Sequence, residues 1–291
     1  MSVLLLGRGG LLGSCLVSHL SGSVELVAPT RNEVDAESAE AVAAALERFR
    51  PAYLINCTGF LNVDRCEQNP ALSFQGNFLT AANVARTIAQ VLPNCHLIHF
   101  SSDFVFDGHR GNYVESALPS PLSVYGIHKF MADEFVARTL PATHYILRTA
   151  SVLGISDLKG NFLRAMLTKV SRGENLRVND TLKVSMATTE FIAQGLIAIM
   201  REAPPAGAYN LVAEGVLSWF EMLRYSCLHL GVTPSFGRAE IDEYPNAALR
   251  PRNSYLNLVK LRTTLPTLSR VWQDVLDEHL DSHRFYTDLF K

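Results

Sequence analysis

The chain opens with a short apolar run, Ser2-Val-Leu-Leu-Leu6, that stops at Gly7-Arg-Gly-Gly-Leu-Leu-Gly13. Such a run, bounded by glycine, reads as a buried strand. The stretch from Cys15 to Leu20 then reads as a helix. Strand, glycine turn and helix in that order constrain the fold more than any other feature. Glycines let a backbone approach a pyrophosphate, and the helix N-terminus behind them offers free N–H groups and positive potential. The spacing is GxxGxxG with Gly9 as an extra, not GxGxxG. A dinucleotide-binding unit is the expected start. The plainer alternative is a loop that only packs a strand on a helix.

The alternation continues. Strands are expected at Val24–Ala28, Tyr53–Cys57, His96–Phe100 and Tyr145–Arg148. Between them lie an alanine-rich helix from Ser38 to Arg50, a helical pattern from Asn69-Pro70 to Leu92 with a break, and a helix from Tyr125 to Arg138. Ser38 is a candidate N-cap, and Asn69-Pro70 has N-cap and N1 chemistry. Such alternation predicts an α/β fold, a Rossmann-type doubly wound parallel sheet with helices on both faces. Ligands then bind beyond the C-terminal strand ends, where Gly7, Cys57 and Ser101 emerge. Past Thr149 the rhythm is irregular, with helices expected near 162–171, 189–200, 218–230 and 268–283. Residues 1–148 are expected to form the nucleotide-binding domain, and segments within about 176–212 to return to it. Residues 149–291 are expected to form mainly a smaller α/β substrate-binding lobe.

Composition excludes several classes. Of 291 residues, 48% are hydrophobic, enough for a substantial core. The net charge of −2 offers no surface for nucleic acid or an anionic membrane. No apolar stretch approaches the ~20 residues that span a bilayer, and no signal peptide is read. The cysteines Cys15, Cys57, Cys66, Cys95 and Cys227 are scattered, without a CxxC or Cys/His cluster. Free thiols and a cytoplasmic location are expected. His96 and His99 lack a third ligand and read as core or edge histidines, so no metal site is expected.

Tyr125 and Lys129 stand four residues apart at the start of a helix. That spacing puts both on one helix face. An ammonium there favours the ionised phenol, bringing proton exchange closer to neutral pH than the free value of about 10. A phenol so tuned suits protonation of a carbonyl oxygen while hydride reaches the carbon. Alone, YxxxK more often marks a core tyrosine beside a solvated lysine.

Taken in order, the motifs resemble the extended short-chain dehydrogenases/reductases, and among them the dTDP-4-dehydrorhamnose reductase family. The likeness runs through Gly7–Gly13, Arg50–Asn56, Val63-Asp64 to Glu67, and Ser101-Ser-Asp-Phe-Val-Phe-Asp-Gly108. It continues through Pro121–Gly126, Leu147-Arg-Thr149, Asn161-Phe162, Tyr209–Ala213, and Arg250-Pro-Arg-Asn-Ser254 with Leu256. The resemblance implies a reductase of a 4-keto-6-deoxy nucleotide sugar. It makes Tyr125 the proton donor, Lys129 the residue that tunes it and holds the nicotinamide ribose, and Ser102 the hydroxyl of the triad, where the family usually has Thr. Asp103 falls at a substrate-contact position, although an aspartate there can simply cap a turn.

On the cofactor side the resemblance implies that Gly7, Gly10, Leu11, Leu12 and Gly13 line the pyrophosphate. Asp35 aligns with an adenine-side aspartate or is a turn residue. Cys57, Thr58 and Gly59 pass the adenosine ribose, with Cys57 the least polar and able merely to pack. Asn77 sits near the site or is structural. Arg31 in the stretch after the second strand, with Arg8 in the glycine loop and no acid until Glu33, favours the 2′-phosphate of NADPH over NADH.

Departures fall on the substrate side. The family's Trp is Ser151, its Tyr after Ser-Thr-Asp is Phe104, and its Gly-x-Pro-Thr stretch aligns with Lys183–Met186. Asn161 and Arg250 complete the expected substrate contacts. Losing the ring removes apolar contact and a shape constraint, so a different 4-keto sugar or relaxed specificity is expected. Two other classes stay open. One is an epimerase or dehydratase of the same superfamily, for which Asp103 or Glu115 are the available extra acids. The other is a non-catalytic cofactor-binding regulatory subunit, like the partner of methionine adenosyltransferase. The sequence leaves room for a homodimer.

Overall fold

The computed structural model describes residues 1–155, 162–244 and 247–290. Its centre is a parallel sheet of six strands. These are β1 (Ser2–Leu6), β2 (Glu25–Val27), β3 (Tyr53–Asn56), β4 (His96–Ser102), β5 (His144–Thr149) and a strand from Gly207 to Asn210. Small parallel pairs join β6 (Val152–Leu153) to β8 (Ala187–Thr188), and β7 (Arg177–Asn179) to β10 (Gly237–Ala239), which makes Gly207–Asn210 β9. The main sheet runs in the order β2-β1-β3-β4-β5-β9. The chain leaves β1 in one direction for β2 and returns on its other side for β3. A crevice at such a reversal is where doubly wound sheets take their ligands.

The helices are α1 (Leu11–Leu20), α2 (Ala39–Phe49), α3 (Val63–Gln68), α4 (Pro70–Ser73), α5 (Thr80–Val91) and α6 (Val124–Thr139). Beyond them lie α7 (Phe162–Ser171), α8 (Thr189–Glu202), α9 (Trp219–His229), α10 (Val259–Thr264), α11 (Trp272–Ser282) and α12 (Arg284–Asp288). Ser38 caps α2 by accepting from the Ala41 N–H, and Asn69 caps α4 with Pro70 behind it. Ser218 and Glu221 form a capping box on α9. The break expected between Asn69 and Leu92 is a π-helical stretch at Phe74–Leu79. The last long helix starts at Trp272 rather than near Leu268, because Pro266 holds a short 3₁₀ turn ahead of it.

Strand side chains alternate between two cores, as a period of two demands. Val3, Leu5, Ile55, Ile98 and Leu147 face one core with α1 and α8. Leu4, Leu6, Leu54, Leu97 and Ile146 face the other with α2, α5 and α6. Both faces are covered, which explains the near-continuous apolar strands.

β9 is not among the strands expected from the sequence. It is short, and pairing with β5 at Tyr145–Arg148 holds it in the sheet. After it the chain builds a second layer. Lys183 exchanges backbone hydrogen bonds with Arg252 and Ser254, and Val184 bridges Leu217.

Candidate active site

The glycine loop closes tightly on the end of β3. Gly7 has φ +88°, and a Cβ there would lie 2.7 Å from the Cys57 carbonyl carbon. A Cβ on Gly13 would strike the Gly7 carbonyl. Gly10 opens α1 without a side-chain cap, so the first N–H groups of this helix remain turned to the crevice. The crevice holds about 560 Å³ and is lined by Gly7, Arg8, Gly10, Arg31, Asp35 and Cys57–Gly59, among others. Its residues come from the ends of β1, β2 and β3, across the reversal point.

The charges at its rim are already engaged. Arg8 donates to the Ala28 carbonyl at 2.8 Å. Arg31 pairs with Glu37 at 2.7 Å and Asp35 at 3.6 Å. Glu33 turns back to accept from the Thr30 N–H and hydroxyl. Asp35 accepts from the Glu37 N–H, so it closes a turn as well as lining the crevice. Leu11 and Leu12 are half-buried at the start of α1. Burial pushes the Cys57 thiol up, so it stays protonated and packs. Thr58 donates to Asn56. Asn77 grips Phe60 through the N–H and the carbonyl at once, which pins the loop after β3 to the π-helical stretch.

Ser102, Tyr125 and Lys129 meet where β4 ends and α6 begins, and all three are buried. Two caps hold that helix start. Ser123 accepts from the Gly126 N–H, and Glu67 of α3 accepts from the Val124 N–H at 3.0 Å. Phe104 packs its edge on the Tyr125 ring, 5.7 Å between centroids. Burial pushes the Tyr125 phenol up, and the facing Ser102 hydroxyl works against that. In this structure the bonds of Lys129 run to the sheet rather than to the phenol. Its ammonium bonds the Phe100 carbonyl and lies 3.5 Å from His99 Nε2. It therefore points into the sheet. Burial lowers Lys129 to about 8, with Asp133 opposing.

Asp103 is buried and fully engaged. It accepts from Ser102 at 3.1 Å and from Ser254 at 2.5 Å. Burial raises it to about 6. Ser254 thus ties the second layer to the end of β4, a role the sequence does not suggest. Arg250 reaches Asp64 on α3 through two bonds, at 3.1 and 2.7 Å. Asp64 also accepts from the Ala247 and Ala248 N–H groups. The pair clamps the loop around 247–250 onto the nucleotide-binding half. Ser151 has φ +40°, a left-handed backbone where a side chain is uncommon. Asn161 lies outside the described residues. Among the described residues, Glu190, His279 and His283 can offer metal-ligand atoms within 4.8 Å of one another. Glu190 sits on α8, His279 on α11 and His283 between α11 and α12, and Glu190 already bonds both histidines.

A family model described as the RmlD substrate binding domain matches residues 1–285. The chain belongs to that family. A dTDP-4-keto-6-deoxy-D-glucose reductase of Streptomyces niveus is 30% identical over 280 residues, covering 94% of this chain and 95% of the relative. The chain is similar in structure to a dTDP-4-dehydrorhamnose reductase from Clostridium acetobutylicum, with TM-score 0.88, 26% identity and coverage of 97% and 99%. One from Bacillus anthracis, solved with NADP, matches in fold with TM-score 0.87 at 22% identity, over 97% and 99% of the two chains. Both solved structures match this chain's fold over nearly its whole length.

Proposed function

We propose that this protein is an NADPH-dependent reductase of a 4-keto-6-deoxy nucleotide sugar. The observation that carries the reading is the Ser102 hydroxyl facing the Tyr125 phenol, with Lys129 one turn along α6 and in range of Cys57, which lines the glycine crevice. Relatives named as reductases of dTDP-linked keto sugars support the substrate class. The crevice fits a dinucleotide, because Gly7 and Gly13 let the loop fold tightly against β3 and α1, and α1 opens toward the crevice uncapped. When bound there, NADPH supplies the hydride for C4 of the sugar.

The residues of the chain do the rest. Tyr125 gives its phenolic proton to the carbonyl oxygen as negative charge develops on it. Ser102 donates a hydrogen bond to that oxygen and orients it. Lys129, one turn along α6 from Tyr125, would supply positive charge and N–H donors to the nicotinamide ribose. Gly7, Gly10, Leu11, Leu12 and Gly13 receive the pyrophosphate, and Cys57–Gly59 flank the ribose. Arg8 and Arg31 meet the 2′-phosphate, with Arg31 exchanging its bonds to Glu37 and Asp35. NADH is the weaker alternative.

Asp103, Phe104, Ser151, Asn161 and Arg250 define the substrate side in this reading. Residues 1–148, with returning segments, carry the cofactor, and 149–291 supply most of the sugar-facing lobe. Free cysteines suit the cytoplasm. Among the described residues no helix is long and apolar enough to cross a membrane.

The test is loss of reduced-nicotinamide absorbance across dTDP-, UDP- and GDP-linked 4-keto-6-deoxy sugars, with Tyr125→Phe as control. Turnover that vanishes in the variant is expected. Cofactor binding without turnover on any sugar overturns the reading in favour of a regulatory or retained-cofactor protein.

A further inference from the structure

On the α6 side of the sheet, the strands change chemistry near their C-terminal ends. Leu54 gives way to Asn56, Leu97 to His99 and Ser101, and Ile146 to Arg148. Ser101 and Arg148 are register partners, as are Asn56 and His99. These polar residues form one buried row across β3, β4 and β5. α6 lays Lys129 and, one turn on, Asp133 over that row.

Asp133 is the acid in direct reach of the row among the described residues. Ser101 donates to its Oδ2 at 2.7 Å. His99 Nε2 lies 3.9 Å from Oδ1, and Arg148 Nε lies 3.9 Å from Oδ2. The same His99 Nε2 is 3.5 Å from the Lys129 ammonium. Asp133 Oδ1, His99 Nδ1, Arg148 Nε and Asn56 Nδ2 are buried without a hydrogen-bond partner among the described residues. Buried polar atoms left in that condition are destabilising, and a cluster of them calls for a functional reason.

We propose that Asp133 is a positioning residue for the reaction: its carboxylate, held by Ser101 and separated from Lys129 by His99, holds the Lys129 ammonium in place one turn along α6 from Tyr125. This rests on the reductase reading above. Burial works against the ammonium, and Asp133 is the leading charge that restores it. Burial also raises Asp133, to about 6, while Arg148, Ser101 and Lys129 pull it down. Burial thus works against both charges, and each favours the charged form of the other. His99 is kept neutral by burial and by Lys129 beside it, so it serves as a spacer between cation and carboxylate. Other groups in range are Cys57 at the end of β3, which stays protonated, and Glu134 beside Asp133. Toward the start of α6 lie Tyr125, Asp103 and Cys66.

The sign follows directly. Without the carboxylate, Lys129 loses its proton at lower pH. Asp133→Asn should move the alkaline limb of kcat/KM down by about one pH unit or more, as expected for an opposite charge removed from close range. Asp133→Glu should move it back. Ser101→Ala, which only loosens the carboxylate, should give a smaller shift in the same direction and serves if Asp133→Asn does not fold. The alkaline limb of NADPH affinity, read by nicotinamide fluorescence, should move likewise. A uniform loss of kcat with both limbs unmoved overturns the proposal and leaves Asp133 a packing residue. If the wild type turns over no sugar, the reductase reading fails alone, and the fluorescence limb still decides the role of Asp133.

Discussion

The glycine crevice and the polar row beneath α6 sit at neighbouring strand ends but are built in opposite ways. The crevice is made of backbone: Gly7, Gly10 and Gly13 lie close together in the chain, and their job is to have no side chain. The row is made of side chains drawn from β3, β4, β5 and α6, and its members are far apart in sequence. The first is local and tolerates charge at its rim, because Arg8 and Arg31 are solvated. The second is sealed, so every charge in it needs a partner. A site for a phosphate can be written in one short motif; a site that controls a proton requires the assembled fold.

The comparison can be broken most sharply at the point where the two regions serve one reaction. Tyr125→Phe should lower kcat by roughly 10²–10⁴-fold while NADPH still binds, measured by turnover and fluorescence titration. If binding falls in parallel with turnover, the two regions are not separable. Gly13→Ala tests the crevice alone. Its methyl group meets the Gly7 carbonyl, and overpacking of about 1–3 kcal/mol should weaken NADPH binding about tenfold or more. An unchanged Kd would mean that the loop moves freely.

Rim charges should matter less. Arg8→Ala together with Arg31→Ala should reduce the preference for NADPH over NADH by about tenfold, since charge-assisted bonds to a phosphate are replaced by water. Steady-state kinetics with both cofactors checks it, and an unchanged ratio removes these arginines from the phosphate site. The smallest effect belongs to the clamp between layers. Asp64 is held below the usual carboxylate range chiefly by its bond from Arg250. A depressed folded value means that its stabilisation is fully present above about pH 4 and lost as pH falls from there through the lower folded value. Asp64→Asn should cost about 1 kcal/mol at neutral pH, allowing for partial exposure, or a few degrees of Tm. Melting curves of wild type and variant should converge on acidification; a constant gap would assign the loss to packing.

Much of the nucleotide-binding half is legible in the sequence. β1, the glycine turn, α1 and the Ser38 cap announce themselves through local steric and hydrogen-bonding rules. Ser102 and Tyr125 stand out through the order of their motifs. Harder to read are residues whose meaning lies in a distant partner. Asp103 reads as a contact residue, but its bond from Ser254, 151 positions on, is not legible. Arg250 reads as a substrate arginine, but its pairing with Asp64 is not legible. His99 reads as a core histidine, which it is by burial, but one standing between Lys129 and Asp133. The sequence signal for Asp133 is no more than its place one turn after Lys129 on the same helix.

The sequence by itself determined the strand–helix alternation, the glycine cradle and the presence of a tyrosine–lysine pair, because each depends on neighbours within a turn or two of chain. Tertiary structure decided which way Lys129 points, which acid faces it and which carboxylates are engaged. Those outcomes depend on burial and on charges brought together across strands, and neither quantity exists until the sheet has closed against its helices.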